Sequence, residues 1–341
     1  SPEKAGAVEV SSSVNGVIMP PVMGAVAFLM VEYVGIPYIE VVKHAFLPAT
    51  ISYIALLYIV HLEALKADMR GLPRSTPPRP WKIALLRSGI IMSSMMILAG
   101  ALYYLVLGIK WALGDWSNLG LLLLVVFGYF ALLFISAKSK DLDMGDTNGE
   151  IVKLPVFADI YRAGLYYLVP LIVLVWFLMV ERKSPGLSAF WASMLMAFIL
   201  ITQKPLKAFF RQHQNVGAQF KEGFWDLIEG LNTGARNMIG IGVATATAGI
   251  IVGTVTLTGV GQVMAEFVEL LSGGVLIIML LMVALISLVL GMGLPTTANY
   301  IVVSSLMASV VVELGAQSGL IVPMIAIHMF VFYFGIMADV T

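Results

Sequence analysis

The sequence predicts an all-α polytopic membrane protein with about ten membrane-embedded segments. Sixty per cent of its 341 residues are hydrophobic and 12% are charged, a composition far from that of soluble domains. The mean hydropathy is +0.95, and apolar stretches near the ~20 residues that span a bilayer recur along the chain. No charged residue occurs between Glu269 and Glu313, although glycine and proline interrupt that stretch.

The first six predicted segments are separated by polar loops. Segment 16–34 is interrupted by Pro20 and Pro21, which lack backbone N–H groups and therefore break a helix. A basic, proline-rich connector separates the next two segments, and loops that contain Lys and Arg bound the rest. These five segments are 45–62, 88–108, 118–137, 163–181 and 187–202.

Four further segments lie in a part of the chain without Lys or Arg: 237–258, 274–291, 293–312 and 319–338. The first of them contains Thr245, Thr247, Thr254, Thr256 and Thr258 among many Gly and Ala residues. Small residues allow membrane helices to approach closely, so packing is the expected role of these threonines. The next two segments are separated by broken backbone, which is typical of a re-entrant hairpin lining a cavity.

Basic residues predict the orientation of the first part of the chain. Lys and Arg number six, one, four, two and four in the successive loops 63–87, 109–117, 138–162, 182–186 and 203–225. Cytoplasmic loops of membrane proteins carry the excess of positive charge. The alternation therefore places the first, third and fifth of these loops in the cytoplasm.

The composition disfavours several classes of function. A net charge of zero gives no basic surface for a nucleic acid. The absence of cysteine excludes a disulfide framework, a thiolate metal site and a cysteine nucleophile. The four histidines are scattered, and no Gly-x-Ser-x-Gly or His-Glu-x-x-His motif occurs. The broken segments favour a transporter. An intramembrane enzyme and a non-transporting scaffold subunit are the two alternatives.

The strongest candidate site follows the break near residue 293. Three residues that break helices come directly before three polar ones: Gly291, Gly293 and Pro295, then Thr296, Thr297 and Asn299. Free N–H groups at a helix N-terminus favour an anion such as a carboxylate, whereas carbonyls that end the preceding helix favour Na⁺. A tight hairpin capped by threonines is the alternative.

A second candidate site lies at the first break. Pro20 and Pro21 leave carbonyls one turn earlier without helical partners. Together with the hydroxyl of Ser13 and the amide of Asn15, these carbonyls form an oxygen cage suited to a monovalent cation. The alternative is a kinked helix whose serines bond back to their own backbone.

Two residues near the end of the chain also bear on function. Asp339 is a lone carboxylate beside a membrane segment, so it is a candidate for function or for an interfacial position. His328 has no acidic or serine partner nearby in sequence and is expected to make a polar packing contact. The chain begins without Met and ends at Thr341 after an apolar run, as expected for a fragment.

Six motifs occur in a recognisable order: residues 1–9, Ser13–Gly16, Met19–Gly24, His61–Ala64, Gly291–Tyr300 and His328–Gly335. Together they resemble the large membrane subunit of TRAP (tripartite ATP-independent periplasmic) transporters, over essentially the whole chain. The closest resemblance is to the fused permeases that work with TAXI-type binding proteins.

The resemblance implies a multi-pass secondary transporter in the bacterial inner membrane. A Na⁺ or H⁺ gradient would drive it, with no other cofactor. A soluble periplasmic binding protein of the TAXI type would deliver an organic acid, such as a C4-dicarboxylate. A small membrane subunit or a fused small domain would accompany the large one.

The resemblance further implies two inverted repeats of an elevator-type carrier. Residues 1–65 would end repeat one, with Asn15, Gly16 and Pro20-Pro21 in its broken helix. The proline-rich cytoplasmic linker would be 66–87, the connecting helices 88–202, and repeat two 203–341, with an amphipathic helix and the hairpin around Gly293 to Asn299. The hairpin of repeat one would precede Ser1, and the Pro-Pro break of repeat two would follow Thr341.

Overall fold

The computed structural model describes residues 2–69, 80–139, 157–211, 216–294 and 296–338. Every regular element within these ranges is a helix, so the predicted all-α fold is confirmed. Two 3₁₀ turns, Gly114–Trp116 and Leu165–Tyr167, accompany the α-helices. The α-helices are α1 (Pro2–Ile18), α2 (Ala25–Val34), α3 (Tyr38–Lys66), α4 (Trp81–Leu113), α5 (Ser117–Ala137), α6 (Phe157–Gly164), α7 (Leu168–Met179), α8 (Pro185–Phe210), α9 (Val216–Thr258), α10 (Val260–Ser272), α11 (Leu276–Gly291), α12 (Thr296–Gln317) and α13 (Met324–Ala338).

The chain divides into two compact units. The first comprises residues 1–67, 173–194 and 227–341, and the second comprises 68–172 and 195–226. In the first unit α11, α12 and α13 pack against one another and α13 also packs against α2 and α3. Both predicted sites belong to this unit, which we call the core unit.

Five helical segments in the described ranges are long and apolar enough to cross a bilayer. Three other apolar helices are shorter: α2, α11 and α13 have 10, 16 and 15 residues. At ~1.5 Å per residue such helices fall short of a hydrocarbon core of ~30 Å. The short helix α2 begins after the predicted break at 19–24, and the short helix α11 ends just before residues 292–294, so both interruptions are confirmed as breaks in helical structure.

The predicted segment 203–225 between two spans is helical over much of its length, because α8 continues to Phe210 and α9 begins at Val216. An ion pair between Lys204 Nζ and Asp226 Oδ2, at 2.7 Å, joins the two helices where charged residues were taken to mark a loop. The short helix α10 was not predicted either. Glycines in the left-handed conformation, Gly259 (φ 71°) and Gly273 (φ 60°), bound it.

The core unit has a continuous apolar interior. Its largest fully buried side chains include Met30, Met279, Tyr300, Met307 and Phe332. The second unit has a smaller core around Tyr129, Leu133, Tyr166 and Ile199. Many large apolar side chains elsewhere are exposed, as expected where lipid replaces water as the surrounding solvent.

Candidate functional site

The first break is a compact turn that α3 holds in place. The Pro20–Pro21 peptide bond is cis, and the Gly24 N–H donates to the Val17 carbonyl at 2.8 Å. In an unbroken helix the Val17 carbonyl would accept a hydrogen bond from the N–H of residue 21, which Pro21 lacks. The buried Tyr38 hydroxyl lies 2.9 Å from the carbonyl oxygens of both Pro21 and Val22. The chain between α1 and α2 is therefore anchored to the start of α3.

Asn15 lies one turn before this break and is half-buried. Its Oδ1 accepts a hydrogen bond from the Ser52 hydroxyl of α3 at 2.9 Å. Ser13 and Gly16 are exposed, Pro20 is half-buried and Pro21 is exposed. The structure thus pairs Asn15 with Ser52, which is 37 residues away in sequence and was not predicted, rather than with Ser13.

The second break is the turn between the two arms of the hairpin, α11 and α12. Gly291 is buried at the end of α11, and Gly293 is exposed in the turn. Thr296 and Thr297 are half-buried and open α12. Pro295 and Asp339 lie outside the described residues. The predicted polar residues therefore do begin a helix directly after broken backbone.

Asn299 is the most deeply buried of the candidate residues. It is 0% exposed, and its Nδ2 donates to the Ser287 carbonyl of α11 at 2.9 Å. Gly335 of α13 lies against the same amide, since a Cβ there would be 3.0 Å from Nδ2. Three helices of the hairpin region thus meet at Asn299. Its Oδ1 and the buried Ser287 Oγ have no hydrogen-bond partner in the described part of the chain.

His328 makes the polar contact predicted for it, with a partner that the sequence did not indicate. The Tyr300 hydroxyl and His328 Nδ1 are 2.7 Å apart, and both residues are buried. The Tyr33 ring of α2 stacks on the His328 ring with centroids 6.3 Å apart. This cluster of Tyr33, Tyr300 and His328, here called the aromatic joint, connects α2, α12 and α13.

Four threonines of α9 bond to their own helix, and their packing role stays a prediction. Thr247, Thr254 and Thr258 are exposed, and each hydroxyl bonds to a carbonyl four residues earlier at 2.8 Å. Thr245 makes the same kind of bond to Ile241 at 2.7 Å. Because their own helix satisfies these hydroxyls, they need no polar group on a neighbouring helix.

A comparison of the sequence with known protein families gives one match. The family described as "Tripartite ATP-independent periplasmic transporter, DctM component" matches residues 1–114 and 118–341. The chain belongs to the DctM family. It is therefore the large membrane subunit, or permease component, of a TRAP transporter. No curated protein and no solved structure matches it significantly.

Membership of the DctM family favours a transporter over the intramembrane enzyme that the sequence left open. The family is one of transporters, which speaks against the intramembrane enzyme. In TRAP systems a DctM protein associates with a periplasmic binding protein and a small membrane subunit. The broken helices of the core unit are thus those of a permease embedded in a membrane.

Proposed function

We propose that this DctM protein takes up an organic acid in symport with a cation. Na⁺ or H⁺ would supply the driving force across the bacterial inner membrane, which the chain crosses several times. A binding protein of the TAXI type delivers the acid, such as a C4-dicarboxylate, and a small membrane subunit or fused domain completes the assembly.

The observation that carries the proposal is a neutral oxygen site beside broken backbone in an apolar core. Asn299 is fully buried in the first turn of α12, directly after the turn that ends α11. Burying a polar side chain in such a core is costly unless it acquires a partner. Neutral oxygen atoms beside a helix break are the surroundings in which transporters bind Na⁺.

The start of α12 also suits the carboxylate of a substrate. Thr296 and Thr297 place hydroxyl groups at its N-terminus, and the free N–H groups of a first turn attract anions. Cation and carboxylate would then occupy neighbouring positions and neutralise each other. Asp339 is proposed as the alternative carrier if the coupling ion is H⁺.

The break at Pro20-Pro21 is proposed as a second binding region that acts together with the hairpin. Ile18 and Met23 flank that break, and Ala298 and Tyr300 flank Asn299; all four belong to one hydrophobic cluster. The cation cage of Asn15 would use its Oδ1, which Ser52 already contacts. Since one packed core supports both breaks, movement at one is expected to affect the other.

Uptake by proteoliposomes tests the proposal. The complete transporter is reconstituted with its binding protein, and uptake of labelled organic acids is measured under an imposed Na⁺ gradient, an imposed H⁺ gradient and neither. We expect uptake that requires the binding protein and collapses when the driving gradient is dissipated. Uptake that persists without either gradient would refute symport, and the absence of uptake of any acid would favour the scaffold subunit.

A further inference from the structure

We infer that the second unit binds the headgroup of an anionic phospholipid, with Lys138, Arg162 and Lys207 as the basic residues that contact its phosphate. The position, here called the headgroup site, is where the ends of α5, α6 and α8 meet. It is independent of the proposed symport, because both helix breaks belong to the core unit.

Hydrogen bonds join the three helix ends. The Ser136 hydroxyl of α5 donates to the Ala163 carbonyl of α6 at 2.6 Å. The Arg211 guanidinium, directly after α8, donates to the carbonyl oxygens of Ala137 and Ser139 at 2.9 and 2.7 Å. The ends of α5, α6 and α8 are therefore held together by bonds that do not involve the three proposed ligands.

The proposed ligands stand at these joined ends. Lys138 directly follows α5, and Arg162 and Lys207 lie in the last turns of α6 and α8. The sequences of α5 and α8 contain no acidic residue, and that of α6 contains Asp159. The three helices thus bring more positive than negative charge to one place.

Aromatic rings position two of the ammonium groups. Lys207 Nζ lies 5.1 Å from the centroid of the Tyr166 ring, and Lys138 Nζ lies 4.4 Å from that of Phe134. Tyr166 is 2% exposed, and its hydroxyl donates to Gln203 Oε1 at 2.7 Å, so this ring has little freedom to move. A lysine that is already placed loses less conformational freedom when it binds a ligand.

The basic residues lie at the depth of lipid headgroups. The apolar stretches Trp81–Ala137 and Pro185–Phe210 end directly before the site, and a third candidate span, Ile160–Met179, begins beside it. Long basic side chains at the ends of membrane helices extend to the interface. The excess of Lys and Arg in the adjoining loops predicts that this interface is the cytoplasmic one.

Charge and apolar surface together define the ligand. Phosphate oxygens accept strong hydrogen bonds from Lys and Arg, so the basic residues favour a phosphodiester. Within a turn of the same helix ends, large apolar side chains are exposed for contact with acyl chains: Phe134, Ile135 and Phe209. A soluble phosphate would leave this apolar surface unused, and a zwitterionic lipid brings a positive group of its own. Basic pockets between membrane helices on the cytoplasmic side bind headgroups with net negative charge.

Lipid-induced stabilisation of the complete transporter in an uncharged detergent tests the inference. The rise in melting temperature is measured against added phosphatidylglycerol, phosphatidylcholine and inorganic phosphate. Lys207→Gln removes one proposed ligand, and Lys204→Gln is the matched control. Lys204 lies in the same helix and its replacement changes the net charge equally, but its ammonium group pairs with Asp226 of α9 at 2.7 Å.

We expect phosphatidylglycerol to raise the melting temperature, and phosphatidylcholine and inorganic phosphate to leave it unchanged. Lys207→Gln should raise the phosphatidylglycerol concentration for the half-maximal shift about fivefold, since a basic residue at a membrane surface contributes about 1 kcal/mol. Lys204→Gln should leave that concentration unchanged, and Lys207→Arg should restore it. If Lys207→Gln does not fold, Lys138→Gln at an exposed position is the second variant, with the same expected effect.

Four results would overturn the inference. Equal shifts with phosphatidylcholine would mean that any lipid serves, and equal shifts with inorganic phosphate would mean that the ligand is a soluble anion. The same loss of affinity in Lys204→Gln and Lys207→Gln would assign the effect to net charge rather than to a site. No shift with any of the three additives would mean that the chain's own acidic residues neutralise the cluster. None of these measurements depends on uptake, so each result leaves the proposed symport untouched.

Discussion

Tyr300 and His328 share a hydrogen bond of 2.7 Å in the interior of the core unit, between α12 and α13. Tyr300 directly follows Asn299, so this bond fixes the first turns of α12 next to the candidate ion site. Tyr33 extends the contact to α2, which begins after the Pro20-Pro21 break. The aromatic joint therefore links the helices that follow the two breaks.

Tyr300→Phe tests whether this hydrogen bond contributes to stability. The substitution keeps the ring but leaves His328 Nδ1 buried without its partner, which should lower the free energy of unfolding by about 1–3 kcal/mol. Denaturant unfolding in detergent measures the change. Tyr104→Phe on α4 is the control, because that residue is 73% exposed and should change stability by less than about 0.5 kcal/mol. Equal effects of the two substitutions would contradict a structural role for the bond.

Hydropathy predicted where the helices lie, but not which side chains form hydrogen bonds between them. The stretches 45–62 and 118–137 lie within α3 and α5, because the length of an apolar run reports directly on membrane insertion. The Ser52 partner of Asn15 was not predictable, since a hydrogen bond between helices depends on how α1 and α3 pack. The sequence around Asn15 does not show how α1 and α3 are aligned against each other.

The candidate site in the hairpin was predicted only in part, for a related reason. Glycine and proline identify the break, and Asn299 stands out as a polar residue in an apolar run. Ser287 lies in α11, where a single serine among leucines and valines is commonplace in membrane helices. Only the packing of the two arms against each other brings the Ser287 carbonyl to Asn299 Nδ2.

Tyr38→Phe tests the anchor of the first break. Without the hydroxyl, the carbonyls of Pro21 and Val22 lose their side-chain donor, so the turn between α1 and α2 should open more often. Faster hydrogen exchange of the Gly24 and Ala27 amides, both hydrogen-bonded in this turn, is the expected result. Tyr58→Phe, at an exposed position of α3, should leave exchange at the turn unchanged. Unaltered exchange in Tyr38→Phe would show that the turn needs no anchor.

A double-mutant cycle on Asn15 and Ser52 separates a packing role from an ion-binding role. If the pair contributes only its hydrogen bond, Asn15→Ala and Ser52→Ala should each cost about 0.5–1.5 kcal/mol of stability. The double variant should then cost less than their sum, because the two residues share one interaction.

Uptake by the same variants decides the second role. If Asn15 also binds the cation, Asn15→Ala should raise the Na⁺ requirement for uptake more than Ser52→Ala does. Identical Na⁺ dependence in both single variants would leave Asn15 with its packing role alone.

Gly223→Ala tests the close approach of α8 and α9 in the second unit. A Cβ at Gly223 would lie 2.8 Å from the Leu200 carbonyl oxygen and 2.9 Å from that of Ile201, and these backbone atoms have little freedom to move. The substitution should lower the free energy of unfolding by about 1–3 kcal/mol, as for other overpacked contacts.

Gly234→Ala in the same helix is the matched control, since nothing lies within 4 Å of its added methyl group. There the better helix propensity of alanine should stabilise the protein by up to about 1 kcal/mol. Opposite signs of the two changes, measured by thermal unfolding in detergent, would show that helix contact rather than propensity selects glycine at 223. A stabilised Gly223→Ala variant would mean that α8 and α9 do not approach so closely.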